Sequence, residues 1–323
     1  MKNIVYIYLF VLTFITSIQG YSFNHLTIIN EPCDRGPGCV VRSLMDGLRK
    51  LNMPFNHNPT DLTQLADIVV ILSDASNVKK AIEWKKAGYI KHIFAGPNLV
   101  TRSYECDYLL ASPEIDVILV PCDWARINFI QDDARLTDKI KIWYAGVDET
   151  YWKPTTNKKS GKGNNVLIYA KYADQHFCNQ IKNVLAHDGW NPVTLSYGNY
   201  NHQQYKALLT DSAFALFLSV SESQGIALAE AWAMDVPTLV WNPQELVAYG
   251  KRFDPISSCP YLTDDTGLDW KTVSDLENHL KIIKRQLSSF NPRKWILEHM
   301  TDTKSAQLLL DIIQHTITSE VKE

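Results

Sequence analysis

The sequence predicts an α/β protein with two doubly wound, Rossmann-like domains that face each other across a cleft. Short runs rich in β-branched and aromatic residues alternate with helix-like segments between about residues 25 and 243. This alternation is typical of parallel sheets built from βαβ units. Residues 153–165 form a polar stretch without hydrophobic periodicity, which divides the alternating strands and helices into two series. Each series has enough strands for one open sheet.

Nine strands are predicted, five before the polar stretch and four after it. The first five are Leu26–Asn30, Ile68–Leu72, His92–Ala95, Val117–Val120 and Ile140–Tyr144. The other four are Val166–Ala170, Pro192–Tyr197, Phe214–Leu218 and Thr238–Trp241. Helical patterns lie between them, as at Asp174–His187 and Gln203–Leu209, and only helices are predicted after Val273.

The same patterns define the predicted domain boundaries. Residues 1–20 form a leader, 21–152 an amino-terminal domain, 153–165 a linker, 166–290 a carboxy-terminal domain, and 291–323 terminal helices. A chain of 323 residues is long enough for two domains of this size.

The composition excludes several classes of protein. A hydrophobic content of 46% with a net charge of −3 is too apolar for a disordered chain. Thirty-two basic against 35 acidic residues give no basic surface for nucleic acid, so no nucleic-acid partner is expected. The six cysteines include no Cys-x-x-Cys pair, which disfavours a zinc site, and Cys33 with Cys39 would close the shortest disulfide loop.

The leader has the order of a secretory signal peptide. Lys2 precedes an apolar run, Ile4–Ile18, and a small residue follows at Gly20. The run is shorter than the ~20 residues that span a bilayer, so a cleaved signal is favoured over a retained membrane anchor. A buried first strand is the third interpretation. The first two predict an exported or membrane-anchored protein; otherwise the cytoplasmic face of a membrane is expected.

The most informative segment is Leu216–Trp241, which contains a predicted strand, turn, helix and second strand. The first strand ends at Leu218, a polar turn spans Ser219–Gln224, and a helix begins near Gly225 and stops before Pro237. The turn therefore lies at the carboxyl end of a parallel strand, where open α/β sheets bind ligands. Free N–H groups at the start of such a helix attract phosphate.

Two glutamates belong to this segment, Glu222 before the helix and Glu230 eight residues later. Carboxylates accept hydrogen bonds from vicinal hydroxyl groups, as on a sugar or a ribose. Taken singly, Glu222 could be an acidic residue near a helix start and Glu230 a solvated residue on the helix face. However, Glu230 is the only charge in Ile226–Met234, so it must be paired, hydrogen-bonded or functional.

Glu222, Gly225 and Glu230-Ala231 resemble the signature of the group-1 (family 4) retaining glycosyltransferases, which have the GT-B fold. That signature is two glutamates with seven residues between them, a glycine third after the first glutamate, and an alanine after the second. The resemblance extends more loosely over residues 24–312.

Two other segments resemble the family. Val120-Pro-Cys-Asp-Trp124 is similar to a strand and loop late in its first domain. Lys141–Asp148 with Tyr151–Pro154 is similar to the passage into its second domain, and the terminal helices, including Pro292–Met300 and Ser305–Thr316, resemble those that cross back to the first domain.

The resemblance implies a nucleotide-diphosphate sugar as donor. Glu222 would act as a catalytic residue on hydroxyl groups of the donor sugar, and Glu230 would bind the ribose. It also implies donor contacts from Ser223, Gly225, Ile226 and Ala227.

Further donor contacts are implied at the ends of other strands. Lys171 would face the diphosphate, although the family usually has a second cation that is not evident here, and a solvated lysine is the alternative. The loop Arg35-Gly36-Pro37-Gly38 would face the same phosphates, with Arg35, Gly36 and Gly38 as contacts, or would be a surface turn. Asn98 would stand near the reacting carbon where the family often has a histidine, or would be a turn residue.

No cofactor is expected, and the absence of an Asp-x-Asp triplet is consistent with a metal-independent reaction. The predicted function is transfer of a hexose-type sugar, with its anomeric configuration retained, to a glycan, lipid or protein acceptor. Membrane association would occur through the leader.

Two other functions remain open. One is an exported two-lobed solute-binding protein, which leaves the paired glutamates unexplained. The other is a degenerate glycosyltransferase that only binds. Export favours both, because nucleotide sugars are scarce outside the cytosol and the secretory lumen.

Overall fold

The computed structural model describes residues 21–31, 33, 36–155, 163–248 and 250–320. The predicted leader, residues 1–20, and residues 156–162 of the predicted linker lie outside this part of the chain. Within the described residues, no helix is both long enough and apolar enough to span a membrane.

The first sheet has six parallel strands. The elements around it are β1 (Leu26–Ile29), α1 (Gly36–Lys50), β2 (Phe55–His57), β3 (Ile68–Ile71), α2 (Ala75–Lys86), β4 (His92–Ala95), α3 (Glu105–Tyr108), β5 (Val117–Val120), α4 (Asp123–Asp132) and β6 (Ile140–Ile142). The strand order is β2-β1-β3-β4-β5-β6. We call these elements the first lobe.

The second sheet has five parallel strands and a small antiparallel hairpin beside it. Its elements are β7 (Asn165–Ala170), α5 (Gln175–His187), β8 (Asn191–Ser196), α6 (His202–Asp211), β9 (Phe214–Leu218), α7 (Ile226–Ala233), β10 (Thr238–Trp241), β11 (Leu246–Ala248), β12 (Lys251–Phe253), β13 (Gly267–Trp270), α8 (Val273–Gln286) and α9 (Pro292–His299). The order is β13-β10-β9-β7-β8, and β11 pairs with β12. We call these elements the second lobe.

Both faces of each sheet are covered by apolar side chains, as expected of strands buried in a parallel sheet. Along β3, Ile68 and Val70 belong to one core cluster, whereas Val69 and Ile71 belong to another. The strands of the second lobe divide in the same way between two further clusters. The predicted class of two doubly wound α/β units is therefore confirmed.

The last helix, α10 (Asp302–Glu320), crosses back from the second lobe to the first. Leu309 and Ile313 share a core cluster with Leu44 of α1, and the indole N–H of Trp143 donates to the carbonyl of Ser305 at 2.9 Å. In contrast, α9 stays on the second lobe, where it packs against α7. It reaches back only as far as the segment after β6, where the hydroxyl of Tyr144 donates to the carbonyl of His299 at 3.4 Å.

All nine predicted strands are present, each with its ends within two residues of the predicted position. Four short strands, β2, β11, β12 and β13, were not predicted. They have three or four residues each, and sequences such as Phe-Asn-His and Lys-Arg-Phe lack the apolar run or the alternation that identifies a strand.

Candidate functional site

The second sheet has its topological switch point at β7, which lies between β8 and β9. Ala170 at the end of β7 pairs with Leu218 at the end of β9, and the N–H of Lys171 donates to the carbonyl of Leu218 at 2.8 Å. Lys171 and the turn Ser219–Gln224 therefore leave adjacent strands at the same edge. This is the crevice in which doubly wound sheets bind ligands.

Lys171 and Glu222 form an ion pair at this edge. The Nζ atom of Lys171 lies 2.8 Å from Oε1 and 3.0 Å from Oε2 of Glu222. The hydroxyl of Ser219 donates to Oε1 at 3.1 Å. The side chains of Lys171 and Glu222 remain 19% and 16% exposed, so the pair is accessible to a ligand.

The turn that carries Glu222 is held on two sides. From its own lobe, the carbonyl of Ser257 accepts from the N–H of Glu222 at 2.9 Å, and the hydroxyl of Ser258 donates to the carbonyl of Ser219 at 2.7 Å. From the first lobe, the indole N–H of Trp124 donates to the carbonyl of Glu222 at 3.0 Å. These hydrogen bonds were not predicted. Trp124 belongs to a segment that resembles the family but had no assigned role, and no sequence pattern indicated a role for Ser257 or Ser258.

Helix α7 begins where the motif predicts. Gly225 precedes its first residue with φ of +60°, a left-handed conformation that glycine adopts without strain. No side chain caps this end, so the first N–H groups, including those of Ile226 and Ala227, are available to an anion.

The start of α7 faces the start of α1 in the other lobe. A Cβ atom on Gly36 would lie 4.0 Å from Cδ1 of Ile226, which packs against the core of the first lobe. Gly36 and Gly38, predicted in a loop, lie in the first turn of α1. A Cβ on Gly38 would lie 1.5 Å from the carbonyl oxygen of Cys33, so this position requires glycine. Two helix N-termini thus meet across the interlobe gap. Arg35, predicted beside them, lies outside the described residues.

Glu230 is buried inside α7, with 6% of its surface exposed. In the described part of the chain, no group forms a hydrogen bond or ion pair with its carboxyl group. Burial raises the pKa of Glu230 from 4.5 to about 8. The interpretation as a solvated helix-face residue is therefore wrong: Glu230 is a buried carboxyl group that is mostly protonated at neutral pH.

Three tyrosines, Tyr169, Tyr200 and Tyr205, lie close enough to Glu230 for its negative charge to raise the pKa of their hydroxyl groups. The hydroxyl of Tyr205 donates to the carbonyl of Ala227 at 2.7 Å, and those of Tyr169 and Tyr200 lie 2.9 Å apart. Burial raises the pKa of Tyr200 to about 12, with the charge of Glu230 adding to the effect. The phenols thus stay neutral and give Glu230 a polar but uncharged environment.

An exposed aromatic pair flanks the lysine. Tyr172 follows Lys171 and is 78% exposed, and Tyr197 follows β8. Their ring centroids lie 5.9 Å apart, and Nζ of Lys171 lies 4.9 Å from the ring of Tyr197. Sequence reasoning did not single them out, although Tyr197 ends one predicted strand and Tyr172 comes two residues after another.

Asn98 is exposed in the loop after β4, with φ of +67°. It lines a cavity of about 370 Å³, and Ser223 of the second lobe lines the same cavity. The structure therefore brings Asn98 into the gap beside the turn of Glu222. The contacts between the lobes thus involve Gly36, Asn98, Ser223 and Ile226, whereas Glu230 is buried inside α7.

A group of acidic side chains lies where the chain passes between the lobes. Asp148, Glu149 and Asp302 have carboxylate oxygens within 4.8 Å of one another. Lys50 already approaches this group, since its Nζ lies 3.3 Å from Glu149 and 3.4 Å from Asp302. Because the lysine neutralises part of the charge, we assign no metal ion to this cluster.

No protein-family model and no curated protein matches the chain. Solved structures do match over nearly its whole length. Lipopolysaccharide outer core galactosyltransferase WaaB in its apo form is 12% identical, with a TM-score of 0.57 over 92% of this chain and 99% of that chain. Arabidopsis thaliana starch synthase IV, bound to ADP and acarbose, is 9% identical, with a TM-score of 0.61 over 91% and 99%.

Sucrose-phosphate synthase from Thermosynechococcus elongatus is 10% identical, with a TM-score of 0.55 over 92% of this chain and 100% of that chain. The chain has the GT-B fold. At 9–12% identity the likeness concerns the architecture alone.

Proposed function

We propose that the protein is a glycosyltransferase that takes a sugar from a nucleotide-diphosphate donor and retains the anomeric configuration. The observation that carries the proposal is the ion pair of Lys171 and Glu222 at the switch point, directly before the uncapped start of α7. Cation, carboxylate and free N–H groups are the chemistry that a sugar diphosphate requires, and the GT-B neighbours include a starch synthase bound to ADP.

In the proposed reaction the leaving diphosphate lies against Lys171 and the N–H groups that start α7 and α1. These donors stabilise the charge that develops on the departing oxygen. Glu222 accepts hydrogen bonds from hydroxyl groups of the sugar, and Asn98 binds near the reacting carbon. No protein nucleophile is assigned, so retention requires the acceptor oxygen to bond to the anomeric carbon on the face from which the diphosphate leaves. The bond from that carbon to the diphosphate oxygen breaks, and the acceptor's hydroxyl proton passes to the departing phosphate oxygen.

Glu230 is proposed to bind the ribose. A protonated carboxyl group both donates and accepts a hydrogen bond, which matches a vicinal diol. Because it is neutral, it does not repel the nearby diphosphate. This role explains why α7 tolerates a buried carboxyl group without a partner among the described residues.

The test is a thermal-shift screen of the full chain with UDP, ADP and GDP against free sugars and amino acids. We expect stabilisation by at least one nucleotide and none by free sugars alone. A shift with free sugars or amino acids only would instead indicate a solute-binding protein.

Turnover is then measured with the matching nucleotide sugar by following release of the nucleotide diphosphate. Glu222→Ala and Glu230→Ala should abolish hydrolysis and transfer while the protein remains folded. Full turnover in either variant would contradict the assigned site, and nucleotide binding without turnover in the native chain would identify a degenerate enzyme.

Two further measurements test the type of reaction. The anomeric configuration of the product, determined by NMR, tests whether the configuration is retained. Turnover that is unchanged in EDTA is expected for a metal-independent reaction.

A further inference from the structure

The cavity beside Asn98 lies at the edge of the first sheet, where β4 and β5 end. Ser223 and Phe253 of the second lobe complete its wall, so the cavity belongs to the interlobe gap. Because Ser223 is the neighbour of Glu222 in the chain, the cavity opens beside the proposed sugar site. Its volume of about 370 Å³ lies within the usual size of small-molecule sites.

Hydrophobic side chains outnumber polar ones in the wall of this cavity, although polar groups also contribute to its surface. The hydrophobic ones include Leu99, Val100, Leu110, Trp124, Phe129 and Phe253. Two lobes contribute them, since Phe253 stands on β12 with its ring 6.3 Å from that of Trp124. An apolar group that entered would therefore be enclosed from both sides.

The polar side chains deeper in the wall already have partners. The carboxylate of Glu105 accepts from the main-chain N–H groups of Arg102 at 2.9 Å and Thr101 at 3.4 Å. The amide of Asn128 donates to two main-chain carbonyls and accepts from the N–H of Asp254 at 3.3 Å. These contacts stabilise the loops. Asn128 has little hydrogen-bonding capacity left for a ligand, whereas the half-buried carboxylate of Glu105 can accept further hydrogen bonds at one side of the cavity.

Three polar side chains in the wall have no hydrogen bond within the described residues: Asn98, Thr101 and Ser223. Asn98 and Thr101 are exposed, and Ser223 borders the turn of Glu222. A bare sugar ring packed against Val100, Trp124 and Phe253 would leave the hydroxyl groups on that side of the ring unpaired. A molecule with an apolar part inside and a hydroxyl group at the mouth satisfies both regions.

From this arrangement we infer that the acceptor substrate carries a hydrocarbon group, which binds in the cavity lined by Val100 and Phe253. The acceptor hydroxyl then lies at the mouth, between Asn98 and the turn of Glu222. This inference rests on the proposed glycosyltransferase function and narrows its acceptor to an amphipathic alcohol or a glycoside with an apolar aglycone.

The experiment compares binding of n-octyl and methyl β-D-glucopyranoside to the full chain by calorimetry, below the concentration at which the octyl glycoside forms micelles. Each buried methylene strengthens binding by about fourfold, so three buried methylenes give about 50-fold. We expect the octyl glycoside to bind at least about 50-fold more tightly. Equal affinities would overturn the inference and indicate a polar glycan acceptor.

Two variants locate the binding. Val100→Thr places a hydroxyl group in the wall with little change of shape, and Leu99→Asn does so more strongly. Val100→Thr should weaken octyl binding by about tenfold and leave methyl binding unchanged. Val193→Thr, at a 45% exposed position on the far edge of the second sheet, is the matched control and should change neither. Octyl binding that both cavity variants retain in full would place the site elsewhere and contradict the inference.

The nucleotide screen separates this inference from the proposed function. If a nucleotide binds but the octyl chain adds nothing, the acceptor inference fails and the transferase proposal stands. If no nucleotide binds but octyl binding is lost in Val100→Thr, the cavity binds hydrocarbon and the transferase proposal fails.

Discussion

Glu222 and Glu230 lie eight residues apart, yet the fold treats their carboxyl groups in opposite ways. Glu222 stands in a turn, 16% exposed, with its charge balanced by Lys171 at 2.8 Å. Glu230 stands inside α7, 6% exposed, and in the described part of the chain no cation or hydrogen-bond donor meets it. Glu222 is therefore charged and able to accept hydrogen bonds from a ligand, whereas burial keeps the carboxyl group of Glu230 neutral.

This difference indicates two tasks within one site. A paired carboxylate that is still partly exposed can exchange its contact with Lys171 for contacts with a ligand. A buried carboxyl group whose pKa is raised to about 8 destabilises the folded protein once it ionises, so its presence requires another explanation. Binding of a diol beside a diphosphate is such an explanation.

The largest expected effect is on stability as a function of pH. The pKa of Glu230 is about 8 in the folded protein and near 4.5 when unfolded, so between these values the folded state holds the extra proton. The free energy of unfolding therefore falls as pH rises through this window, by up to about 5 kcal/mol for this group. Urea unfolding at pH 5, 6.5 and 8 measures it.

Glu230→Gln isolates this contribution from other titrating groups, such as Asp302, whose pKa burial raises to about 6. Its stability should fall less between pH 5 and 8 than that of the native chain. Parallel curves would mean that Glu230 titrates normally, and the contrast between the two glutamates would disappear.

The second effect concerns catalysis. Glu222→Gln keeps the size of the side chain but removes the charge that balances Lys171 and accepts the sugar hydroxyls. We expect turnover to fall by about 10²–10³-fold, the range for loss of one preorganised electrostatic contact. Stability should fall by about 1–3 kcal/mol, since the pair is largely buried and Lys171 loses its counter-charge. Glu245→Gln, at an exposed position of the same lobe, is the control, and an equal loss there would refute the assignment.

Much of this contrast could be predicted from the amino-acid sequence. The strands that end at Ala170 and Leu218 were identifiable from their apolar runs, and the ends of neighbouring parallel strands meet at one edge. The burial of Glu230 was indicated by the apolar residues around it. The sequence did not indicate that the carboxyl group of Glu230 has no cation or hydrogen-bond donor beside it among the described residues, because the distance from α7 to every other charged group depends on tertiary packing.

Contacts between the lobes were beyond sequence reasoning. The hydrogen bond from Trp124 to Glu222 joins residues 98 positions apart, and it depends on how the two lobes are oriented. The hairpin that carries Phe253 was also missed, because its strands are three residues long and mostly exposed. The cavity lined by Asn98 and Phe253 is formed by these elements, so it became visible only in the structure.

The third effect tests whether Glu230 acts as a neutral group. Gln is a close analogue of a protonated glutamate, so Glu230→Gln should keep nucleotide affinity within about threefold, whereas Glu230→Leu removes one or two hydrogen bonds and should weaken it by about tenfold. Calorimetry with the nucleotide identified in the screen provides both values. If Gln weakened binding as much as Leu, the ligand would require a charged carboxylate, and the two glutamates would act alike.

The smallest effect concerns the aromatic flank of the ion pair, where the ring of Tyr172 lies 5.8 Å from Nζ of Lys171. Because Tyr172 is 78% exposed, Tyr172→Ala should leave the free energy of unfolding within about 0.5 kcal/mol of the native value. Nucleotide affinity should fall by about two- to fivefold, the size of an exposed cation–π contact. Tyr89→Ala, at a 53% exposed position of the first lobe, should change neither quantity. Equal affinities in both variants would mean that Lys171 and Glu222 bind the donor without help from this ring.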